Sequence, residues 1–375
     1  MSMELTKCKL GEVVTLLNGR AYLMPELQDS GKYRILRVGN LSGGNDSWYY
    51  SDMELDDNKY CESGDLLYAW ACNFGPHIWK EEKVIFHYHI WKLVVDKKKI
   101  NKFFLYYYLL HQTPFYLGGV NGATMVHITK KNMEKKTIYI PCSLETQHHI
   151  ASILSTYDSL IENNTKRIRL LEKMAENLYK EWFIRFRFPG HENVKMVNGL
   201  PNGWKKGALS DVCEFKRGKN ITSSEMKDGT IPVISAGITP SGFHSHANVY
   251  GISVTMSSSG ANAGYIAVHY SDIWAADCSY IEEASTPCIY YVYELLNNIR
   301  SIINNFQRGA AQPHVYPKDI NRIKMIIPSE DIRKKANEKI GVIHRQIDNL
   351  QRQNSLLARQ RDLLLPRLMS GKLEV

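Results

Sequence analysis

The chain has 375 residues, 44% of them hydrophobic and 23% charged, a globular composition with length enough for two or three cores. It holds no apolar run of membrane-spanning length, and its first residues, "MSMELTKCKLGEVV", lack the apolar core of a signal peptide, so a cytoplasmic protein with no membrane partner is expected. The excess of 47 basic over 38 acidic side chains gives +9, which fits a polyanionic partner, but no segment is a basic tail, so any such footprint must come from folding scattered Lys and Arg onto one face. Seven cysteines, an odd set without a Cys-x-x-Cys pair, argue against a disulfide framework and a zinc ribbon and for reduced thiols.

Along residues 1–143, β-like runs at Tyr33–Val38, Val84–Phe86 and Trp91–Val95 are punctuated by Gly, Asn and Ser. An aromatic helix is expected over Phe103–His111, "FFLYYYLLH", followed by "GATMVHITKKN" at Gly122–Asn132 and an Ile140-Pro141 exit. Residues 145–184 then read as one long amphipathic helix. Ile150, Ile153, Tyr157, Leu160, Ile168, Leu171, Ala175, Leu178 and Trp182 recur at steps of three and four, with Asn164 filling one seam position and charge on the other faces. Pro189-Gly190 stops it, and residues 188–199 read as a polar linker.

The same order then recurs. "LPNGW" opens at Leu200, and its downstream Arg217-Gly218 answers the upstream Asn18-Gly19-Arg20. β-like runs follow at Ile231–Ile234, Ile252–Met256 and Tyr265–Val268, then an aromatic helix over Ile289–Asn297 in which Tyr293, Leu295 and Leu296 align with Tyr107, Leu109 and Leu110. "GAAQPHVYPKD" at Gly309–Asp319 lays Ala310, His314 and Lys318 on Ala123, His127 and Lys131, and Ile327-Pro328 falls on Ile140-Pro141. Residues 331–369 repeat the helical spacing through Ile332, Ala336, Ile340, Ile343, Ile347, Leu350, Asn354, Leu357, Leu364 and Leu368, with Arg361 as the exception. One such match is coincidence; a whole series in order is a duplication. The expected architecture is α+β: two mixed α/β domains, residues 1–143 and 200–329, in pseudo-symmetric tandem. Two long helices with coiled-coil seams, within residues 144–187 and 330–375, follow them, the second the natural partner of the first.

Signatures of chemistry are absent. There is no Gly-x-Gly-x-x-Gly, no Gly-x-x-x-x-Gly-Lys-[Ser/Thr] and no Asn/Asp-Pro-Pro-aromatic methyltransferase signature. Glu81-Glu82-Lys83 has no Pro-Asp partner to make a nuclease site and reads as a solvated charge run. His87-Tyr88-His89, His148-His149 and His244-Ser245-His246 lack a third ligand at metal spacing and read as structural or exposed histidines. No catalytic constellation and no metal site is expected. What remains is polar and basic residues in Gly-rich loops: Arg20, Asn73, His77 and Lys80 in the first region, and Arg217, Lys219, Ser258, Ser259, Asn262, Gln307 and Arg308 in the second. Arg and Lys pair with guanine edges, Asn and Gln with adenine, and Ser with several, so the inventory suits groove readout; taken singly, each also suits an ordinary polar turn.

This layout resembles the specificity (S) subunit of type I restriction-modification systems. The likeness covers nearly the whole chain and is carried by "LPNGW", "SSSGANAGYIAV" with "WAADCS", "IWKEEKVIFHYHIWK", the two Ile-Pro exits, "LLEKMAENLYKEWF" and the terminal "LLLPRLMSGKLEV". It implies two target-recognition domains, each reading half of a split, asymmetric site on double-stranded DNA, separated by the two long helices packed as an antiparallel coiled coil. It also implies two methyltransferase subunits held by the helices and domain edges, restriction subunits where the system cleaves, and no cofactor on this chain, since S-adenosylmethionine, ATP and Mg serve the partners. A helix of roughly 40 residues spans about 60 Å, enough to act as a ruler. Two rival readings stay open: a duplicated coiled-coil adaptor that binds proteins only, which would lack salt-sensitive DNA affinity, and a free-standing modification enzyme, which would need the missing methyltransferase motif.

Overall fold

In a computed structural model, which describes residues 4–41, 47–72, 74–117, 128–308 and 313–373, the chain divides into two units. One comprises Met1–Glu162 with Asn354–Val375, the other Asn163–Gln353.

The strands of the first unit are β1 (Leu5–Lys9), β2 (Val14–Asn18), β3 (Tyr33–Leu36), β4 (Tyr49–Ser51), β5 (Tyr60–Cys61), β6 (Leu66–Ala69), β7 (Gly75–Ile78), β8 (Val84–Phe86), β9 (Ile90–Val95) and β10 (Thr137–Pro141). Its helices are α1 (Val38–Leu41), α2 (Lys102–Leu117), α3 (Lys130–Glu134) and the first part of α4 (Leu144–Tyr179). They form an antiparallel sheet in the order β2-β9-β6-β7, a second in the order β4-β3-β8-β5 with β3 and β8 parallel, and the pair β1-β10. β6 shows why the sheets layer: successive side chains point to opposite faces, and all four of its residues are buried. Leu66 and Tyr68 join Phe104, Leu105 and Leu109 of α2 in one core, while Leu67 and Ala69 join Leu36, Val84 and Phe86 in another.

The second unit repeats this topology. It contains β11 (Met196–Val197), β12 (Leu200–Pro201), β13 (Lys205–Ala208), β14 (Lys216–Arg217), β15 (Ile231–Ile234), β16 (Gly242–His244), β17 (Ser253–Ser257), β18 (Ile266–His269), β19 (Trp274–Ala275), β20 (Cys278–Glu282) and β21 (Lys324–Ile327). Its helices are α5 (Ile289–Asn298), α6 (Arg300–Asn304), α7 (Pro317–Ile320) and part of α8 (Glu330–Met369). The sheet orders β14-β20-β17-β18 and β16-β15-β19, with β15 and β19 parallel, and the pair β13-β21 follow those of the first unit, except that the second sheet has three strands, with no strand partner of β19 among the described residues in the place of β5. Of the two motifs that first exposed the duplication, residues 122–127 and 309–312 lie outside the described residues; their continuations form α3, capped by Thr129 Oγ1 accepting from the Asn132 amide at 3.3 Å, and α7, opened by Pro317.

The two copies differ on one face. Val254 and Met256 of β17 enter the apolar core, but Ser253, Thr255 and Ser257 bury hydroxyls on the other side. His269 Nε2 lies 2.8 Å from Thr255 Oγ1, and burial pushes its imidazole down to about 4. The folded state therefore holds His269 neutral, whereas the unfolded chain protonates it near 6.5. Stability is full above about pH 6.5 and is lost as pH falls from there toward 4, by about 2–3 kcal/mol. Urea midpoints measured across this window should show that slope, and His269→Gln should reduce it by this amount.

The two long helices run antiparallel inside each unit. In the first, Ile150, Ala151 and Leu154 near the start of α4 share a core with Leu365, Leu368 and Met369 at the end of α8. In the second, Ala175 and Tyr179 near the end of α4 meet Ile332, Ala336 and Ile340 at the start of α8. α4 continues as a π-type turn, Lys180–Ile184, which brings Trp182 and Phe183 into the same core. The seam differs in detail from a single heptad stripe. Leu160 is 45% exposed, Leu154 and Tyr179 are buried beside the expected Ile153 and Leu178, and His344 is buried next to a half-buried Ile343. The reason is that each helix packs against its partner helix and against the aromatic helix of a domain, so the buried stripe is wider than a two-helix seam requires.

Those domain contacts are polar as well as apolar. In the first unit Gln147 of α4 accepts from the Asn101 amide at 2.8 Å and donates to Pro141 O at 2.9 Å, and the Tyr107 hydroxyl donates to Asp158 at 2.6 Å, which also pairs with Arg361. In the second, Asn337 of α8 accepts from the amides of Tyr290 and Tyr291 at 2.9 and 3.2 Å, capping α5 from outside. Beside Tyr293, the counterpart of Tyr107, the second unit sets His344, its ring 5.3 Å from that of Tyr293, its Nε2 3.1 Å from buried Glu294 and its Nδ1 2.8 Å from the Tyr270 hydroxyl.

Candidate nucleic-acid interface

One edge of the central sheet is built alike in both units. In the first, β2 ends at Gly19-Arg20, which crosses beside the turn between β8 and β9. Gly19 N donates to Ile90 O at 3.3 Å, Arg20 N to Phe86 O at 3.0 Å, and Tyr88 N to Arg20 O at 3.0 Å. In the second, β14 ends at Gly218-Lys219, where Gly218 N donates to Cys278 O and Lys219 N to Ala275 O, both at 2.9 Å. Both glycines are dictated by close approach: a Cβ on Gly19 would stand 2.4 Å from Phe86 O, and one on Gly218 2.4 Å from Ala276 O. The chain after the aromatic helix returns to this edge in each unit, where Ile128 N approaches Trp70 O at 3.5 Å and Val315 N donates to Ser258 O at 3.0 Å.

The side chains on the two edges are unlike. In the second unit Asp277 accepts from the Arg217 guanidinium at 2.6 Å and also from the Ser259 hydroxyl. Ser258 is buried 3.4 Å from the Ser279 hydroxyl, and Asn262 lies in the short turn Gly260–Asn262 that continues from Ser259. Gln307 donates to Ala263 O at 2.8 Å, and Arg308 bridges to His314 and pairs with Asp319 at 3.0 Å. His314 in turn bridges to Ser259. Lys219 is exposed. The fold thus gathers Arg217, Lys219, Ser258, Ser259, Asn262, Gln307 and Arg308 around the connection from β17 to β18.

The first unit scatters its candidates. Arg20 stands on the edge, but its guanidinium is held by Glu26 at 2.7 and 2.9 Å, a hydrogen-bonded pair that keeps the carboxyl below its usual range. His77 and Lys80 lie elsewhere, lining a cavity of about 550 Å³ with Tyr107 and Asp158, where Lys80 pairs with Glu162 of α4. Asn73 lies outside the described residues.

The edge of the first unit is occupied instead by rings, among them His87 and His89, which by spacing alone read as structural or exposed histidines. Trp70 Nε1 donates to Tyr88 O at 2.8 Å, and its ring meets that of His89 edge-on at 5.1 Å. Tyr88 lies 4.4 Å from the His87 ring and 4.0 Å from that of His89, and Tyr22 stacks on His87 at 6.3 Å. Burial, with His89 and Arg37 adding to it, pushes His87 down to about 4, and burial also lowers His89. The sequence signal for this cluster is the run "HYH" in the turn between β8 and β9, which the fold sets against Trp70 just past β6. Among the described residues no group of three or more His, Cys, Asp or Glu is placed to hold a metal ion. Glu81 and Glu82 both pair with Arg34, at 2.9 and 3.0 Å, as surface charge. No helix among the described residues is long and apolar enough to cross a membrane.

Comparisons with known proteins agree with the duplication. The profile described as "Type I restriction modification DNA specificity domain" matches twice, over residues 3–173 and 201–358. The type I restriction enzyme MjaIX specificity subunit of Methanocaldococcus jannaschii is 27% identical over 313 residues, covering 75% of this chain and 71% of its own. The Mycoplasma pneumoniae protein S.MpnORF638P is 23% identical over 369 residues, 97% of this chain and 95% of its own. The crystal structure of the type I restriction-modification S subunit from M. genitalium shares the fold, with a TM-score of 0.63 at 18% identity over 98% of this chain and 96% of that one. With both repeats matched, the chain belongs to the type I restriction-modification DNA specificity family and is a non-catalytic specificity subunit.

Proposed function

We propose that this chain reads a bipartite, asymmetric DNA target for a type I restriction-modification complex. Residues 1–143 and 200–329 act as the two target-recognition domains, and residues 144–187 and 330–375 supply the spacer helices, with 188–199 as linker. The observation that carries the reading is the pair of equivalent sheet edges: one backbone frame used twice, furnished with different side chains, is what two unlike half-sites require. The helices and domain edges scaffold two methyltransferase subunits and, in a cleaving system, the restriction subunits. S-adenosylmethionine, ATP and Mg serve those partners, and the complex works in the cytoplasm on double-stranded DNA. Arg20, Asn73, His77, Lys80 and the seven residues gathered in the second unit remain the proposed DNA contacts, Arg217 and Arg308 by exchanging their intramolecular carboxylates for phosphate or guanine.

The assay is DNA affinity of the purified complex against salt. Neutralised phosphates release counterions, so log K should fall linearly with log salt, steeply enough to count several contacts. A protein-only adaptor would show weak, sequence-indifferent retention, and that result would end this reading.

A further inference from the structure

Resting on the function proposed above, we infer that the first domain reads base edges through the ring cluster Trp70, His87, Tyr88 and His89, with Tyr88 against a thymine methyl group, while the second domain reads through hydrogen-bonding and charged groups.

Three observations lead there. Position is the first: Trp70 corresponds to Ser258 and the His87–Tyr88 turn to Ala276–Asp277, so the rings stand where the second unit places Ser258, Ser259 and Asp277. Exposure is the second, since Tyr88 presents 39% of its surface although rings lie within about 4 to 6 Å of it on several sides. A ring held that way loses little rotamer freedom on binding, and rigid aromatic anchors of this kind are favourable contact surfaces. Charge is the third. The depressed imidazoles are neutral at pH 7 and the Arg20 guanidinium is matched by Glu26, while Arg37, the nearby charge unmatched among the described residues, has its guanidinium drawn over the Tyr49 ring at 4.3 Å. A neutral aromatic surface does little for a phosphate, but it complements the one apolar group that the major groove offers, the C5 methyl of thymine, and neutral imidazoles donate or accept toward the neighbouring base edges.

The test uses the complex assembled around the full chain and a duplex carrying its mapped methylation motif. The half-site belonging to the first domain is the one that survives exchange of residues 200–329. Single thymine-to-uracil replacements within it should cost the natural chain roughly 4-fold in affinity at one position, the worth of one buried methyl group. Tyr88→Ala should bind the thymine and uracil duplexes equally. His89→Ala should relax methylation in that half alone, and both variants should keep the specificity of the other half, which certifies that they are folded and assembled. Their salt slopes should match the natural chain's. Unchanged half-site specificity in both variants, or a slope lowered by about one phosphate, would overturn the ring-reading inference and leave the function standing. Absence of any mapped motif for the natural chain would instead overturn the function itself.

Discussion

Exchange of residues 200–329 for the matching segment of a relative with another target is expected to replace one half of the methylated motif and leave the other half and the gap unchanged. The effect is all or none, because each half-site is discriminated by its own set of base contacts, each mismatch costing about 1–3 kcal/mol. The fold makes the exchange feasible. β13 pairs with β21 inside the segment, with Lys205 opposite Ile327, so the graft brings its own closing strands and leaves α8 to begin at Glu330. Besides the apolar packing of Tyr179, Trp182 and Phe183, the graft must restore polar contacts: Asn337 must find the amides that open α5, and His344 must find an acceptor at the position of Glu294. Methylation mapping reads the outcome, and a graft that altered both halves would show that the domains do not read independently.

Replacing His344 with alanine is expected to destabilise the second unit by about 1–3 kcal/mol, because it leaves the buried Glu294 side chain without its hydrogen-bond partner. The side chains of Glu294 and His344 are 5% and 1% exposed, and the imidazole also meets the Tyr270 hydroxyl and stacks on Tyr290 at 5.1 Å. Removing both partners differs from removing one: Glu294→Leu with His344→Leu should recover to within about 1 kcal/mol of the natural chain, since a hydrophobic pair of similar volume carries no desolvation cost. Urea unfolding of both variants followed by tryptophan fluorescence distinguishes the cases. Equal losses in single and double variants would mean that shape, and not the buried pair, holds this joint. The two joints differ in their polar contacts, Tyr107–Asp158–Arg361 in one unit and Glu294–His344–Tyr270 in the other.

The helices were legible because their period is long and uninterrupted: residues 145–184 and 331–369 were expected, and α4 with its π turn and α8 occupy Leu144–Ile184 and Glu330–Met369. The strands at 84–86 and 231–234 fell where β-branched and aromatic residues cluster, and Phe103–His111 is the first part of α2, which runs on through Pro114 to Leu117. Burial of His344 was not legible. A histidine among charged residues reads as a solvated face until its partners, Tyr270 and Glu294, are brought from far along the chain. The interface divided on residue type. The candidates of the second unit come from three separate stretches, residues 217–219, 258–262 and 307–308, and are polar types that an inventory of hydrogen-bonding side chains finds, whereas the edge of the first joins Gly19-Arg20, Trp70 and His87–His89 and is furnished mainly with rings.

The central claim is that one chain carries two unlike DNA readers, and methylome sequencing of the host with and without its gene tests it most directly. The account predicts a single methylated motif of two different specified halves around an unspecified gap, present with the gene and lost on deletion. A deletion that leaves every methylated motif in place, or that removes one continuous or palindromic motif, would contradict it.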